Sequence, residues 1–522
     1  MASKQYDLQP VTSVQRTAAI EHEVMSSLIN TTSREALEEQ SDDLERWAEK
    51  DHSDRTTVTN NLPTSGPGAD SGSDRTESGP SSGGPPGAGP GGPPVKRGFF
   101  SSHLKQKRIL ILRGAVVNIL IMGFFMMGII SIYWASFYKR NELLRRVKIW
   151  IVDADNGSLV GTQFTTYAQQ LATELDSVQV EVHDASQYTY DNLLDLVVEE
   201  STWGVFYIHD TASSNLLAAF ENPATTGAQY NSSEPIEFIY SQARDQLAMG
   251  SIVTWVNEVA SGFRASFALS ALKLASQNYS IDTIISEAPV VITSPVIIEF
   301  NDLRPFDSAI LMTVTQVGLI FLIIVSFFQF NFFQPTHMII AQDIKPVHFM
   351  IYRLTMSWIA YFFLSLFYSF ISLAFQLDFT KKYGHGGFVI FWMLNWLTMV
   401  SVGLFLENAV NLCVPIFPPF LGFILILTVI GNIAPAFYSI PLQHHIFRYG
   451  YGLPIKNLAD ATRTIMFNTR NSMGRNVGVI IAWIVLDHLA FPLTMRFFGL
   501  RMRKKAMAEA AAKNNAGGPP KH

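Results

Sequence analysis

Long uncharged apolar runs alternate with polar stretches along this chain. The first run, Gly114–Tyr138, holds 25 residues without a charge, more than the roughly 20 a helix needs to cross hydrocarbon. Five more follow at about 308–333, 351–377, 387–413, 419–438 and 477–499. Pro435 and Pro441 blur the end of the fifth span, and Asp487 interrupts the sixth. Lipid offers no partners to backbone amides, so each run is read as an α-helix that satisfies its own.

Between the first two spans the periodicity changes. Val147–Val152 is apolar and β-branched and runs into the turn Asp153-Ala-Asp-Asn-Gly157. Phe164–Leu175 and Asn192–Val198 have helical spacing, and a long helix is expected at about 244–277. Val178–Val182, Trp203–Ile208, Pro235–Tyr240 and Val290–Phe300 read as further strands. Strands alternating with helices predict an α/β domain with a partly parallel sheet. The fold class expected is a polytopic α-helical membrane protein, six transmembrane helices in a 1+5 arrangement, with an extracytosolic α/β domain between helices 1 and 2. The divisions are a disordered cytosolic tail over 1–95, helix 1 over 109–138, the α/β domain over 139–306, five helices over 307–500 and a basic cytosolic tail over 501–522.

Composition sharpens this picture. Hydrophobic residues make up 48% and charged residues 16%, against about 25% charged in soluble chains. Only 16 Asp, Glu, Lys or Arg fall within 307–500, which excludes one soluble globular domain. Residues 63–94 are nearly all Gly, Pro, Ser, Thr and acid, with too little apolar surface to offset the entropy of ordering. Ser33–Lys50, with Leu37, Leu44 and Ala48, reads as a transient helix. Met1–Glu23 has no apolar core of the signal-peptide kind. A net charge of −5 gives no mark of a nucleic-acid binder. The single cysteine, Cys413, excludes an intrachain disulfide framework or cysteine metal site.

Lys or Arg at 96, 97, 105, 107, 108 and 113 precede the first span, and others at 501, 503, 504 and 505 follow the last, which fits cytosolic termini. Lys139, Arg140, Arg145, Arg146 and Lys148 crowd the opposite end of span one and bring the positive-inside rule near a tie. Asn156, Asn231 and Asn278 open glycosylation sequons in the middle block, usable only if that block is luminal or external. Spans of about 25 residues favour a thick plasma membrane.

Two stretches carry a resemblance. Tyr133-Trp134-Ala135-Ser136 through Lys148-Ile-Trp-Ile-Val-Asp153-Ala-Asp155 resembles the fungal nitrosoguanidine-resistance membrane proteins. So does Tyr449-Gly-Tyr-Gly-Leu-Pro454 through Arg463-Thr-Ile-Met-Phe467 and Gly474-Arg-Asn-Val-Gly478. The likeness covers roughly 105–505. More distantly, the layout is similar to bacterial phage-infection proteins and the membrane subunits of type-2 ABC exporters. The resemblance implies resistance to toxic compounds and a transport or membrane-lipid role.

No P-loop, Gly-x-Ser-x-Gly elbow or His-Glu-x-x-His helix occurs, so no enzyme, cofactor or metal is expected. His444-His445 lacks further ligands at useful spacing. Asp153, Asp155 and Gly157 read as an Asx-bonded turn rather than a calcium loop, since position twelve is Phe164. The aromatics Trp150, Trp203, Phe206 and Tyr207 read as sheet core, with a ligand cage as the alternative.

Charges inside spans are functional candidates, because each costs about 2.5–3.5 kcal/mol in lipid. Asp487 lies beside His488, and Glu407 shares a helix face with Asn411 one turn on, with Gly403 one turn before. Either Asp487 and Glu407 hold helices together, or they line a path and exchange a proton or hold a cationic group. Asn118, Gln316 and Asn395 suggest interhelical hydrogen bonds. Gly474, Gly478 and Ala482 form a small-residue ridge that predicts close helix contact, within the subunit or in a homodimer. Residues 453–468 are amphipathic. Pro454 starts the helix, while Lys456, Asp460 and Arg463 lie opposite the apolar face, as in a re-entrant or interfacial helix with its charges in water. It is either a gate at the external mouth or an interfacial anchor.

The function expected is export or redistribution of amphiphilic compounds or lipids, with Phe362, Phe363, Phe367 and Phe370 suited to amphiphile or lipid. The alternative is a non-transporting regulator or scaffold of lipid asymmetry and other pumps. Partners would be membrane lipids, a small-molecule substrate and a separate motor or pump protein.

Overall fold

The computed structural model describes residues 99–173, 178–341, 343–418 and 420–516. The polar tail expected over 1–95 lies outside them. Among the described residues, six helices are long and apolar enough to cross a membrane. The first, α1 (Lys105–Ala135), begins nine residues before the uncharged run and ends before Tyr138. It docks on the bundle through Phe125, stacked on Phe423 at 4.5 Å between ring centres. Ile129 is buried beside it and Tyr133 meets Phe437, while most other large apolar side chains face outward. Asn118 also faces outward and makes no interhelical bond among the described residues.

The α/β domain follows. Strands β1 (Lys148–Asp153), β2 (Gln179–Asp184), β3 (Gly204–Ile208), β4 (Ile236–Tyr240) and β5 (Ile298–Asp302) form one sheet in the order β2-β1-β3-β4-β5. All pairings are parallel except β3 with β4, so the expected mixed sheet is present. Helices α2 (Leu159–Ala172), α3 (Tyr190–Val198), α4 (Ala212–Glu221) and α5 (Gln246–Asn278) flank it. The core runs through Phe164, Phe206, Phe238 and Phe263, with neighbouring rings about 5 Å apart. A Cβ at Gly204 would meet the Phe238 ring, so only glycine fits there.

Two expectations need correction. The run Val290–Phe300 is a strand only from Ile298. Its start, Val290–Thr293, is one helical turn. Pro289 opens that turn and Pro295 ends it, and a proline has no N–H to donate to a ladder. Helix α4 was not foreseen, because Ala212–Glu221 is short and small-residue rich. Asp153 accepts from the amides of Asp155 and Gly157, as an Asx turn should. Asp155 is buried and accepts from Gly161 N at 3.2 Å and from the amide and hydroxyl of Ser213. The acidic turn thus ties β1 to α2 and α4.

Five helices complete the bundle: α6 (Gly318–Ile340, entered through a π-turn at Thr313–Val317), α7 (Pro346–Ala374), α8 (Gly387–Cys413), α9 (Phe420–Phe437) and α11 (Met473–Ala516). Between α9 and α11 lies α10 (Pro454–Phe467). Helix α8 is central, and its Gly403 lets the buried Tyr361 ring of α7 lie against the backbone. Asn395 bonds Ser369 at 3.1 Å, the interhelical contact expected of it. Gln316 is buried in the π-turn. Gly474, Gly478 and Ala482 are exposed, and nothing lies within 4 Å of a Cβ at either glycine. The ridge therefore makes no contact within the subunit, contrary to one of the two readings. Phe363, Phe367 and Phe370 also face outward, where lipid contact suffices to explain them.

The domain and bundle meet through side chains from both. Arg304 Nε donates to Asn468 O at 3.0 Å, and Phe306 stacks on Phe467 at 4.8 Å. Arg146 donates to Gln443 O at 2.9 Å, and Arg140 to Leu247 O at 2.8 Å. Arg140 also lies 4.6 Å from the Tyr438 ring centre. These two cations, which blurred the positive-inside count, are structural parts of the junction.

Candidate functional site

Two cavities collect most of the unusual chemistry. They lie at opposite ends of the bundle, as chain direction dictates. The domain-side cavity sits where α10 and the start of α11 meet the base of the domain. The far-side cavity lies among the ends of α6 and α8, the start of α7 and the second half of α11.

On the domain side, α10 is not an interfacial helix. Pro454 fixes its first turn and Asn468 ends it in the left-handed region, and every residue except Asp460 is buried. Its apolar face packs into the bundle, and the base of the domain covers the opposite one. Its charges, themselves largely buried, face a partly open cavity of about 270 Å³ whose outer edge carries the exposed Arg470 and Arg475. Asp460 accepts from Lys456 at 2.5 Å and from Arg463 at 3.3 Å. Asp245 caps α5 by accepting from Ala248 N at 3.0 Å. Burial holds its carboxyl above the usual carboxylate range, against the opposing pull of Arg463, Lys456 and Arg244. Arg244 lies 3.7 Å from the Trp203 ring centre and donates to Thr202 O. Burial pushes its guanidinium down to about 10. Trp203 is thus the seat of a cation, while Phe206 is sheet core.

On the far side, a cavity of about 930 Å³ is mostly apolar, walled by residues such as Phe330, Phe349, Val410 and Leu421. Arg353, Arg496, Arg503, His337 and Asn411 bring polar groups to it. Arg353 pairs with Glu407 behind the wall, both buried. The cation of this pair was missed from the sequence, although it stands just inside the run 351–377. Among the described residues, Arg353 Nε, Asn411 Nδ2 and His337 Nδ1 are buried behind the cavity wall without a partner. Such atoms are rare in native folds and call for a ligand or water.

The pairing leaves Glu407 no free charge for a cationic group. Asp487 belongs to a different seat. Asn408 Nδ2 bonds its carbonyl at 3.0 Å and its carboxylate at 3.4 Å, and Thr494 donates to Asn408 Oδ1 at 2.7 Å. Asp487 Oδ2 is buried and unpartnered. His488 lies 3.0 Å from Trp358 Nε1 and 2.7 Å from Ile484 O. An indole N–H only donates, so both ring nitrogens are occupied. Of the four candidates, Asn411 lines the far cavity, while Glu407, Asp487 and His488 do not, and Asp487 is held by Asn408, the neighbour of Glu407. Of the sequon residues, Asn156, Asn231 and Asn278 are all exposed on the domain. His444 accepts from Ile446 N, and His445 lies by Arg146.

Residues 118–489 match the family model described as a protein of unknown function, DUF3533. An uncharacterized endoplasmic reticulum membrane protein of Saccharomyces cerevisiae is 30% identical over 442 residues, which is 80% of this chain and 86% of the relative. No solved structure matches the chain. The family match takes in the α/β domain, the central helix α8 and α10, and this multi-pass membrane protein accordingly belongs to the DUF3533 family.

Proposed function

We propose that this protein redistributes amphiphilic compounds or lipids across or along its membrane, as a non-enzymatic protein of the drug-resistance type. The observation that carries the reading is the far-side cavity: a mostly apolar space of about 930 Å³ whose wall includes Arg353, Arg496, Arg503, His337 and Asn411. Ligand pockets are built this way, with apolar walls for affinity and a few fixed polar groups for orientation. No carboxylate lines the cavity, so its donors suit an acidic or hydrogen-bond-accepting headgroup. The resemblance to nitrosoguanidine-resistance proteins, and more distantly to type-2 exporter subunits, supports the same class. On this reading the α/β domain is extracytosolic and both termini are cytosolic. The yeast relative's name favours the endoplasmic reticulum, and span length favours the plasma membrane.

A second reading, a regulator or scaffold of lipid asymmetry acting with a separate motor or pump, is favoured by the closed Arg353–Glu407 pair, which leaves no free acid there to couple a proton. Reconstitution separates the two. Purified protein in vesicles should accelerate movement of a fluorescent phospholipid between leaflets. Asn411→Leu combined with Arg496→Gln should slow it about tenfold. Vesicles with folded protein that remain inert would leave only the scaffold.

A further inference from the structure

The domain-side cavity has an excess of positive charge. Arg244, Lys456, Arg463, Arg470 and Arg475 line it, against Glu200, Asp245 and Asp460. Asp460 is already shared by Lys456 and Arg463, and Asp245 is committed to the cap of α5. Among the described residues no side-chain ion pair fixes Arg244, Arg470 or Arg475, and Glu200 is the one lining acid left to oppose them, while Arg244 is pinned over Trp203. Helix α11 starts at Met473, so its first turn adds backbone N–H groups and the positive end of a dipole beside Ser472 and Arg475. Like charges gathered in a confined space repel one another strongly unless a counter-charge joins them.

We propose that this cavity is a binding site for a polyatomic oxyanion of the phosphate class. Its volume of about 270 Å³, against the roughly 10–15 Å³ that one water needs on the same measure, leaves room for a polyatomic ion such as a phosphoryl group. Arginine predominates, and its planar fork matches phosphate oxygens in pairs. The cations come from three places: Arg244 in the turn before α5 of the domain, Lys456 and Arg463 on α10, and Arg470 and Arg475 around the start of α11. The bound anion therefore staples the domain to the bundle. The phosphoryl group is either that of a soluble phosphate or that of a lipid headgroup, since the cavity lies where domain meets span.

The test uses the full chain in nanodiscs. In phosphatidylcholine discs, inorganic phosphate and pyrophosphate are titrated by calorimetry, with sodium chloride at matched ionic strength as control. In parallel, discs containing phosphatidic acid are compared by thermal unfolding. Saturable binding in the first arm identifies a soluble anion, and a rise in unfolding temperature confined to the second identifies a headgroup. Arg470 and Arg475 are exposed, so Arg470→Gln with Arg475→Gln should fold as the parent does and weaken the response at least tenfold. Asp460→Asn, which removes an opposing carboxylate, should strengthen it. No response beyond the chloride control in either arm, or an undiminished response in the folded double variant, overturns the proposal.

Discussion

Buried charges give the sharpest predictions at the scale of single residues. Removing one partner of a buried ion pair leaves an uncompensated charge at a cost of about 3–5 kcal/mol. Glu407→Gln should therefore lower the unfolding temperature in detergent markedly, and adding Arg353→Met should recover most of the loss. A double variant no more stable than the single one would show that the pair is not the cause. Asp245 offers a pH signature. Burial raises its folded-state pKa above the roughly 3.9 of an unfolded aspartate. Its contribution to stability is thus complete below the unfolded value and is lost as pH rises through the folded one. Asp245→Asn keeps an equally good helix cap and should flatten the fall in stability as pH rises from about 4. The in-span acids were legible in the sequence because a charge in an apolar run stands out. Their partners were not: Arg353 reaches Glu407 from another helix, and only packing brings positions 54 apart together.

Among elements, the long apolar runs locate all six membrane helices, since lipid imposes one solution on each, but several helices extend past their runs, α1 by nine residues at its start and α11 by seventeen at its end. Helix α8 begins and ends where its run does. Elements whose pattern serves two faces were harder. The alternation of charge and apolar residues in 453–468 is the same whether the polar face meets water or a cavity beside the domain, and the structure buries α10 almost throughout. The ridge of Gly474, Gly478 and Ala482 was equally ambiguous, because small residues invite contact without naming the partner. As nothing in the subunit touches it, Gly478→Leu should change thermal stability by no more than about 0.5 kcal/mol. A larger loss in purified protein would place a second copy against this face.

For the molecule as a whole, sidedness is the open coordinate on which the proposed function depends. Asn156, Asn231 and Asn278 stand exposed on one domain. Endoglycosidase should lower the apparent mass of the natural protein, and replacing all three by Gln should abolish the shift. An unchanged mass, with the domain protected from added protease only by the intact cell membrane, would invert the map. The two halves do not move independently, whichever way they face. Arg304 joins the sheet's exit to the peptide oxygen that closes α10, and Phe306 lies flat on Phe467 beside it. Guanidinium, ring and helix end form a coupling with little slack. A torque applied to the head would be passed through these contacts to the wall of the charged chamber and onward into the lipid-facing rods.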